Sequence, residues 1–259
     1  MINFSNNYKF FFTAKGISLV DKIRIKTTKR HTPFYVKLFG KKFKVVDSRG
    51  FYEAYIEIFG DHVYAFKAET QQPVLVDCGA NMGLAGHYFL NKYPGASYTA
   101  YEADPFIFSA LKENLSVFPQ AKVELVNKAV WYRDEQISFE TDGSLGGKIG
   151  EASSTAALIT AFRLKDVLTA PIDFLKIDIE GAENKVITDC AGSLKLAKNI
   201  FIEYHSSVHD GQMLGEILNT MKEEGFRYQI HQGFSSRLPY LDVARNGDFD
   251  LQLNIYGYK

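Results

Sequence analysis

Residues 74–102 read VLVDCGANMGLAGHYFLNKYPGASYTAYE, and this stretch decides the fold. Val74, Leu75 and Val76 form a short apolar run, closed by Asp77 and followed by Gly79 and Gly83. A run that short, broken by glycine, reads as a buried strand entering a tight turn. Leu84 to Lys92 has helical spacing, with Leu84, His87, Tyr88 and Leu90 on the inner face. Tyr93, Pro94 and Gly95 stop that helix. Tyr98 to Tyr101 reads as a second strand, with Glu102 at its carboxyl end. Strand, glycine loop, helix, strand and terminal acid make the first half of a nucleotide-binding α/β unit.

The geometry of that unit implies a chemistry. Glycine has no Cβ, so the backbone can approach a ligand closely. An acid at the tip of the second strand can accept hydrogen bonds from two ribose hydroxyls. Glu102 follows Gly83 at close to the roughly 20 residues expected between such a loop and its acid. The loop is D-x-G-x-N-x-G, however, and not the G-x-G-x-x-G that aims a helix N-terminus at a pyrophosphate. An acid ahead of the first glycine suits a cationic ligand better than a phosphate. S-adenosylmethionine, with a sulfonium, an amino group and no phosphate, fits. The plainer alternative is a packing turn between a strand and a helix.

The chain has 259 residues, 46% hydrophobic and 14% aromatic, enough for one large α/β core with a small addition. Its 30 Lys+Arg balance 30 Asp+Glu, which argues against a nucleic-acid partner despite a basic patch from Lys22 to Arg30. The two cysteines are Cys78 and Cys190, and the place of Cys78 inside the loop argues against a disulfide. A reducing, cytoplasmic compartment fits. The first residues lack the apolar core of a signal peptide, and no run approaches the roughly 18 apolar residues of a membrane span. Phe10, Phe11 and Phe12 suit local packing ahead of contact with a membrane surface or a partner.

Residues 1–70 form an N-terminal α+β extension, and residues 71–259 the main domain. Phe34 to Leu38 and Phe43 to Val46 flank Gly40-Lys41 as a hairpin. Ser48 is placed to cap a helix through Phe59, and His62 to Phe66 suggests another strand. The extension suits a lid, a substrate platform, a homodimer surface or simply a cover for one edge of the core, and shows no cluster of catalytic residues. After Glu102, Asp104 and Pro105 start a helix with Phe106, Leu111 and Leu115 inside. Val123 to Val126 is a third strand ending at Asn127, and residues 129–131, 137–139 and 156–164 are extended. The Gly- and Ser-rich segment 141–155 is long for a connection, which marks it as functional or mobile.

The second diagnostic stretch is IDFLKIDIEGAE, residues 172–183. Leu175, Ile177 and Ile179 share one face of a strand, and Phe174, Lys176 and Asp178 share the other. Glu180 to Glu183 turns into a helix. Residues 199–205 form the next strand, with Glu203 and His205 on one face. His209 to Glu224 is an amphipathic helix with Asp210 as its cap, and residues 226–230 and 250–256 are the last strands. Alternating strands and helices imply a mainly parallel sheet.

Taken together, VDCGANMG, YEADP, NKAV and DFLKIDIEGAE match in order and spacing the FkbM family of S-adenosylmethionine-dependent methyltransferases, which the chain resembles over roughly residues 50–205. The resemblance implies an α/β, Rossmann-like class I methyltransferase fold: a seven-stranded, mainly parallel sheet with an antiparallel last strand. It also implies O-methylation of a small-molecule or glycan hydroxyl, on a sugar, glycan or secondary metabolite. Carried onto this chain, Asp77, Gly79, Ala80, Asn81 and Gly83 hold the methionine end of the cofactor, with Asp178 nearby. Glu102 holds the ribose diol, and Ala103 and Asn127 lie by the adenine. Trp131 and the lengthened turn at Tyr132-Arg133 depart from the family pattern.

For the chemistry, Asp178, Glu180 and His205 fall at the carboxyl ends of neighbouring strands, where ligands of such sheets sit. Three readings stay open. His205 is a general base; the three hold a divalent cation such as Mg2+; or they are structural, with Glu180 and Glu183 favouring a helix N-terminus. Lys176 is expected to pair with Glu203, because a charge inside a sheet is costly alone. His209 is within reach of a substrate. Two further functions compete: a non-catalytic methyltransferase-like binding module, and a nicotinamide-dependent oxidoreductase, which the missing G-x-G-x-x-G disfavours.

Overall fold

The computed structural model describes residues 14–140, 148–149 and 157–259. The Phe10–Phe12 cluster and most of segment 141–155 lie outside the described residues. Helix α1 (Leu19–Thr27) comes first, with Ser18 as its N-cap. The expected hairpin follows as β1 (Phe34–Leu38) and β2 (Lys41–Val45), turning at Phe39 and Gly40, both at positive φ. Helix α2 (Ser48–Tyr55) runs straight into one π-helical turn, Ile56–Gly60. Its cap is Asp47 rather than Ser48. The Asp47 carboxylate accepts the Arg49 amide and a two-pronged bond from Arg30, and a charged acceptor outcompetes a hydroxyl there. Residues 62–66 are not a strand. Their rings pack instead, Tyr64 edge-on to Phe201 at 4.9 Å and Phe66 at 5.0 Å from Phe174.

The main domain begins with β3 (Val74–Cys78), α3 (Leu84–Lys92), β4 (Ser97–Tyr101), α4 (Pro105–Leu115) and β5 (Lys122–Val126). Asp104 caps α4 by accepting the Phe106 and Ile107 amides. Phe106 is not inside that helix: it is 51% exposed, and Ile107 takes the inner place. A side sheet of β6 (Ala129–Trp131), β7 (Glu135–Glu140), β8 (Lys148–Ile149) and β9 (Ala157–Arg163) is ordered β6-β9-β7-β8. Then come α5 (Leu164–Val167), β10 (Ile172–Ile177), α6 (Glu183–Asp189), β11 (Ala197–Ser207), α7 (Leu214–Glu223), β12 (Arg227–Ser235) and β13 (Phe249–Tyr258). Helix α7 starts later than the sequence suggested, at Leu214 without a side-chain cap, so Asp210 is not its N-cap.

The main sheet is ordered β12-β13-β11-β10-β3-β4-β5. Strands β5, β4, β3, β10 and β11 pair in parallel, and β13 runs antiparallel to both β11 and β12. The expected seven-stranded sheet with its antiparallel last strand is therefore present. Side-chain alternation splits the core in two. On one face Leu75, Tyr98, Phe174 and Phe201 pack with Phe89, Leu111 and the extension's Phe43, Phe51, Tyr55 and Tyr64. On the other, Ile177, Ile200, Ile202 and Ile255 pack with Val186, Ile217 and Met221. Each such side chain contributes about 2 kcal/mol on burial. The extension thus shares one core with the main sheet. Lys176 and Asp178, of the same parity as Phe174, point toward it. Among the described residues no helix is long and apolar enough to cross a membrane.

Candidate active site

The glycine loop is shaped by three residues at positive φ: Gly79 at 82°, Asn81 at 49° and Gly83 at 94°. Only Gly79 is strictly required by space. A Cβ there would stand 1.8 Å from the Asp178 carbonyl oxygen. The Gly79 and Ala80 amides donate to the Tyr101 carbonyl at 3.0 and 2.9 Å, tying the loop to the end of β4. Glu102 closes the loop from that side. Its two carboxylate oxygens accept the amides of Asn81 and Asp104, each at 2.8 Å. Burial pushes the Glu102 carboxyl up to about 7, against the pull of those two amides. The Asn127 amide donates to the Glu102 and Ala103 carbonyls at 2.8 and 3.1 Å, so its side chain links the tips of β4 and β5.

Asp77 lies beneath the loop with no exposed surface. It accepts a 2.5 Å hydrogen bond from the Tyr98 hydroxyl and pairs with Lys176 at 3.2 Å. Lys176 also pairs with Asp178 at 3.1 Å and donates to the Gly79 carbonyl at 2.8 Å. Burial opposes the Lys176 charge, but Asp178 and then Asp77 outweigh it and hold the ammonium well above its usual range. The expected Lys176–Glu203 pair is therefore wrong. Lys176 stands directly opposite Asp77 on β3 and opposite Phe201 on β11, which leaves Glu203 one pleat further along. Glu203 instead accepts from the Gln252 amide.

The turn after β10 is organised by Glu183, which is fully buried. Its carboxylate accepts the amides of Ile179 and Gly181, and faces His205 Nδ1 at 3.4 Å. Glu180, at φ 56°, brings its carboxylate to 3.8 Å from His205 Nε2. Burial opposes charge on His205, yet Glu183, Glu180 and Glu203 together raise it well above the usual histidine range. Among the described residues, Asp178, Glu203 and His205 bring ligand atoms within 4.8 Å of one another. The cation-capable set thus contains Glu203 where the sequence suggested Glu180.

The profile of the Methyltransferase FkbM domain matches residues 77–228. The chain belongs to that family. It is a methyltransferase, and S-adenosylmethionine is its cofactor. Methyltransferase sdnD of Sordaria araneosa is 27% identical over 197 residues, 58% of this chain and 73% of that one. The 2-O-methyltransferase NoeI of Sinorhizobium fredii (strain NBRC 101917 / NGR234) is 26% identical over 169 residues, 56% of this chain and 69% of that one. The solved methyltransferase FkbM from Methylobacillus flagellatus KT superposes with a TM-score of 0.52 at 14% identity, over 74% of this chain and 45% of that one. That likeness is one of fold, and this chain spans less than half of the larger structure.

Within this FkbM domain the structure brings Gly79, Ala80, Asn81 and Gly83 into one loop against Glu102 and Ala103, and sets Asp178, Glu180 and His205 across from it. The sequence reading gave one residue only part of its role and missed another. Glu183 orients both the turn and His205, a role its position three residues after Glu180 did signal as a helix-start acid. Glu57, in the π-helical turn of the extension, stands within electrostatic reach of Asp178 and His205. Nothing in helical periodicity singles it out.

Proposed function

We propose that this chain transfers the methyl group of S-adenosylmethionine to a hydroxyl of a sugar, glycan or secondary metabolite. The observation that carries the cofactor side is Glu102, its carboxylate fixed by one amide from the glycine loop and one from the start of α4. A carboxylate held that way has lone pairs left for a ribose diol and no freedom to turn away. In this reading the Gly79–Gly83 loop cradles the methionine end, and Asp77 holds the loop from below through Lys176. Asn127 steadies the backbone of Glu102 and Ala103 beside the adenine. The name of the relative NoeI, a 2-O-methyltransferase, supports an oxygen acceptor. Both cysteines are free and buried, which supports a reducing, cytoplasmic setting.

The reaction is an in-line displacement. An acceptor oxygen forms the new bond to the methyl carbon, the carbon–sulfur bond breaks, and sulfur leaves as a neutral thioether. The hydroxyl proton goes to Asp178, which is half-buried at the strand tip. Glu183, Glu180 and Glu203 favour the charged form of His205, so in this reading it serves as a fixed positive group rather than as the base. Alignment of the reacting atoms supplies most of the acceleration. A second reading is favoured by one observation: Asp178, Glu203 and His205 converge closely enough to hold a divalent cation, with His205 Nδ1 turned to Glu183. Calorimetry with S-adenosylhomocysteine tests the main reading. A folded sample that binds none refutes it, and loss of binding in Glu102→Ala supports the role of that residue. Titration with Mn2+ monitored by electron paramagnetic resonance decides between base and cation.

A further inference from the structure

Asn114, in the last turn of α4, is 1% exposed, and both polar atoms of its side chain are engaged. Its Oδ1 accepts the Lys44 amide at 2.6 Å. Its Nδ2 donates to the Lys44 carbonyl at 2.9 Å and to the Met82 carbonyl at 2.8 Å. The reciprocal pair with Lys44 fixes which way the amide points, since an N–H can only donate and a carbonyl only accept. Lys44 lies on β2, whose sheet holds only β1 besides. Its outward N–H and C=O face no further strand, and Asn114 satisfies both. Met82 lies inside the cofactor loop. One side-chain amide therefore joins the hairpin of the extension to that loop.

Both ends of this joint are held. The Asn114 carbonyl, one of the free acceptors at the end of α4, faces His87 Nε2 at 3.0 Å. Burial pushes the His87 ring down to about 4, so it is neutral, and the nitrogen facing a carbonyl is the one that carries hydrogen. The ring sits between Phe43 of the hairpin and Phe118, edge-on to each at 4.9 and 4.8 Å. In the loop, the Asn81 amide donates to Glu102 at 2.8 Å and the Asn81 side chain accepts the Met82 amide at 2.6 Å. Asn81 stands at φ 49°, a left-handed conformation that a non-glycine residue keeps where its surroundings fix it. Glu102 fixes this turn from β4, and Asn114 fixes it from α4. We propose that Asn114 is a positioning residue for methyl-donor binding: it locks the Asn81–Met82 turn to the extension's hairpin, so that hairpin docking and donor affinity are coupled. The inference rests on the S-adenosylmethionine reading and gives the extension a part in it. Glu113, the preceding residue, supplies the contrast. It ties the same helix to the same hairpin through Lys42 at 3.1 Å, Lys44 at 3.3 Å and the Tyr35 hydroxyl at 3.2 Å, all on the hairpin and none on the loop.

The test uses the full chain, at a temperature where circular dichroism shows parent and variants folded, so that affinity does not report stability. In calorimetry Asn114→Ala binds S-adenosylhomocysteine about tenfold or more weakly than the parent. Glu113→Gln, which loosens only exposed pairs, binds within about twofold of it. Phe43→Leu, which loosens the hairpin's seat on His87 and leaves Asn114 in place, binds about threefold or more weakly. In amide NMR spectra the Gly83 nitrogen, bonded to the Met82 carbonyl carbon, shifts in Asn114→Ala and not in Glu113→Gln. Parent-like affinity or an unmoved Gly83 signal in Asn114→Ala overturns the positioning role, as does an equal loss in Glu113→Gln. Parent-like affinity in Phe43→Leu overturns the coupling to the extension. Should Asn114→Ala not fold, Asn114→Ser carries the same expectations, and should that fail too, Phe43→Leu decides. A parent that binds no S-adenosylhomocysteine strikes the cofactor reading instead, while the Gly83 signal still reports the tie to Asn114, so the two failures are separable.

Discussion

Glu102 offers the sharpest test, because burial gives it an unusual pH signature. Its carboxyl rises from the ordinary 4.5 to about 7. At about 1.4 kcal/mol per unit, ionising it inside the fold costs on the order of 3 kcal/mol more than ionising it in the unfolded chain. The sign is opposite to that of a salt-bridged acid. Between pH 4.5 and about 7 the folded state binds the proton that the unfolded state has released, so stability falls as pH rises through that window and is level above it. Cofactor binding runs the other way. Ribose hydroxyls donate best to the ionised form, so affinity for S-adenosylhomocysteine rises toward pH 7 and then levels off.

Glu102→Gln separates these effects. Glutamine keeps the shape and cannot ionise, but it offers one acceptor where the Asn81 and Asp104 amides need two. The lost bond costs about 1–3 kcal/mol at any pH. Relative to the parent, the variant therefore gains on the order of 3 kcal/mol between pH 5 and pH 8 in urea melts. Calorimetry on the same samples should show weaker S-adenosylhomocysteine binding by about tenfold or more, with no slope between pH 5 and 7. Parallel stability curves for parent and variant, or a parent affinity that rises as pH falls, would refute the reasoning.

Three other outcomes follow from distances. Gly79→Ala should yield no folded, cofactor-binding protein by circular dichroism and calorimetry, since its Cβ would meet the Asp178 carbonyl oxygen at 1.8 Å in a backbone with φ of 82°; a cooperative melt within about 1 kcal/mol of the parent refutes this. Lys176→Met should cost about 3–5 kcal/mol by stranding buried Asp77, and the double variant with Asp77→Asn should recover most of it. Glu183→Gln should lower the NMR titration midpoint of His205, because Glu183 is the acid that most favours the imidazolium, and an unmoved midpoint contradicts that assignment.

How much of this was legible from the chain depends on the range of the signal. Glycines at 79 and 83, the apolar run at 74–76 and the Asp104-Pro105 helix start act over a few residues, and each appears in the structure where the sequence placed it. Strand parity correctly put Lys176 with Asp178, and Glu203 with His205. Parity cannot say which strand lies alongside. Lys176 meets Asp77 because β3, almost 100 residues earlier, is the neighbour of β10. The same blindness favoured Glu180 over Glu203 for the cation set. Glu57 was invisible for another reason: a π-helical turn breaks the 3.6-residue period on which helical faces are inferred.

The two stretches that decided the reading are, in space, one object. The Asp178 amide donates to the Cys78 carbonyl at 3.1 Å, and the Asp178 carbonyl oxygen fills the place of a Cβ on Gly79. The acid-glycine loop can therefore take its shape only where the DFLKIDIEGAE strand ends beside it. That mutual fit gives a physical reason for the two motifs to occur together, since neither turn is stable at its observed geometry without the other's backbone. It also places Asp178 within one residue of the cofactor loop, with Lys176 joining it to Asp77. A change at either tip must then be felt at the other. For this reason Asp178→Asn should weaken S-adenosylhomocysteine binding even if no atom of Asp178 touches the ligand. Such a loss in calorimetry, reversed by no added cation, would mark Asp178 as part of the loop's support as well as of the acceptor side; undiminished affinity would confine it to the acceptor.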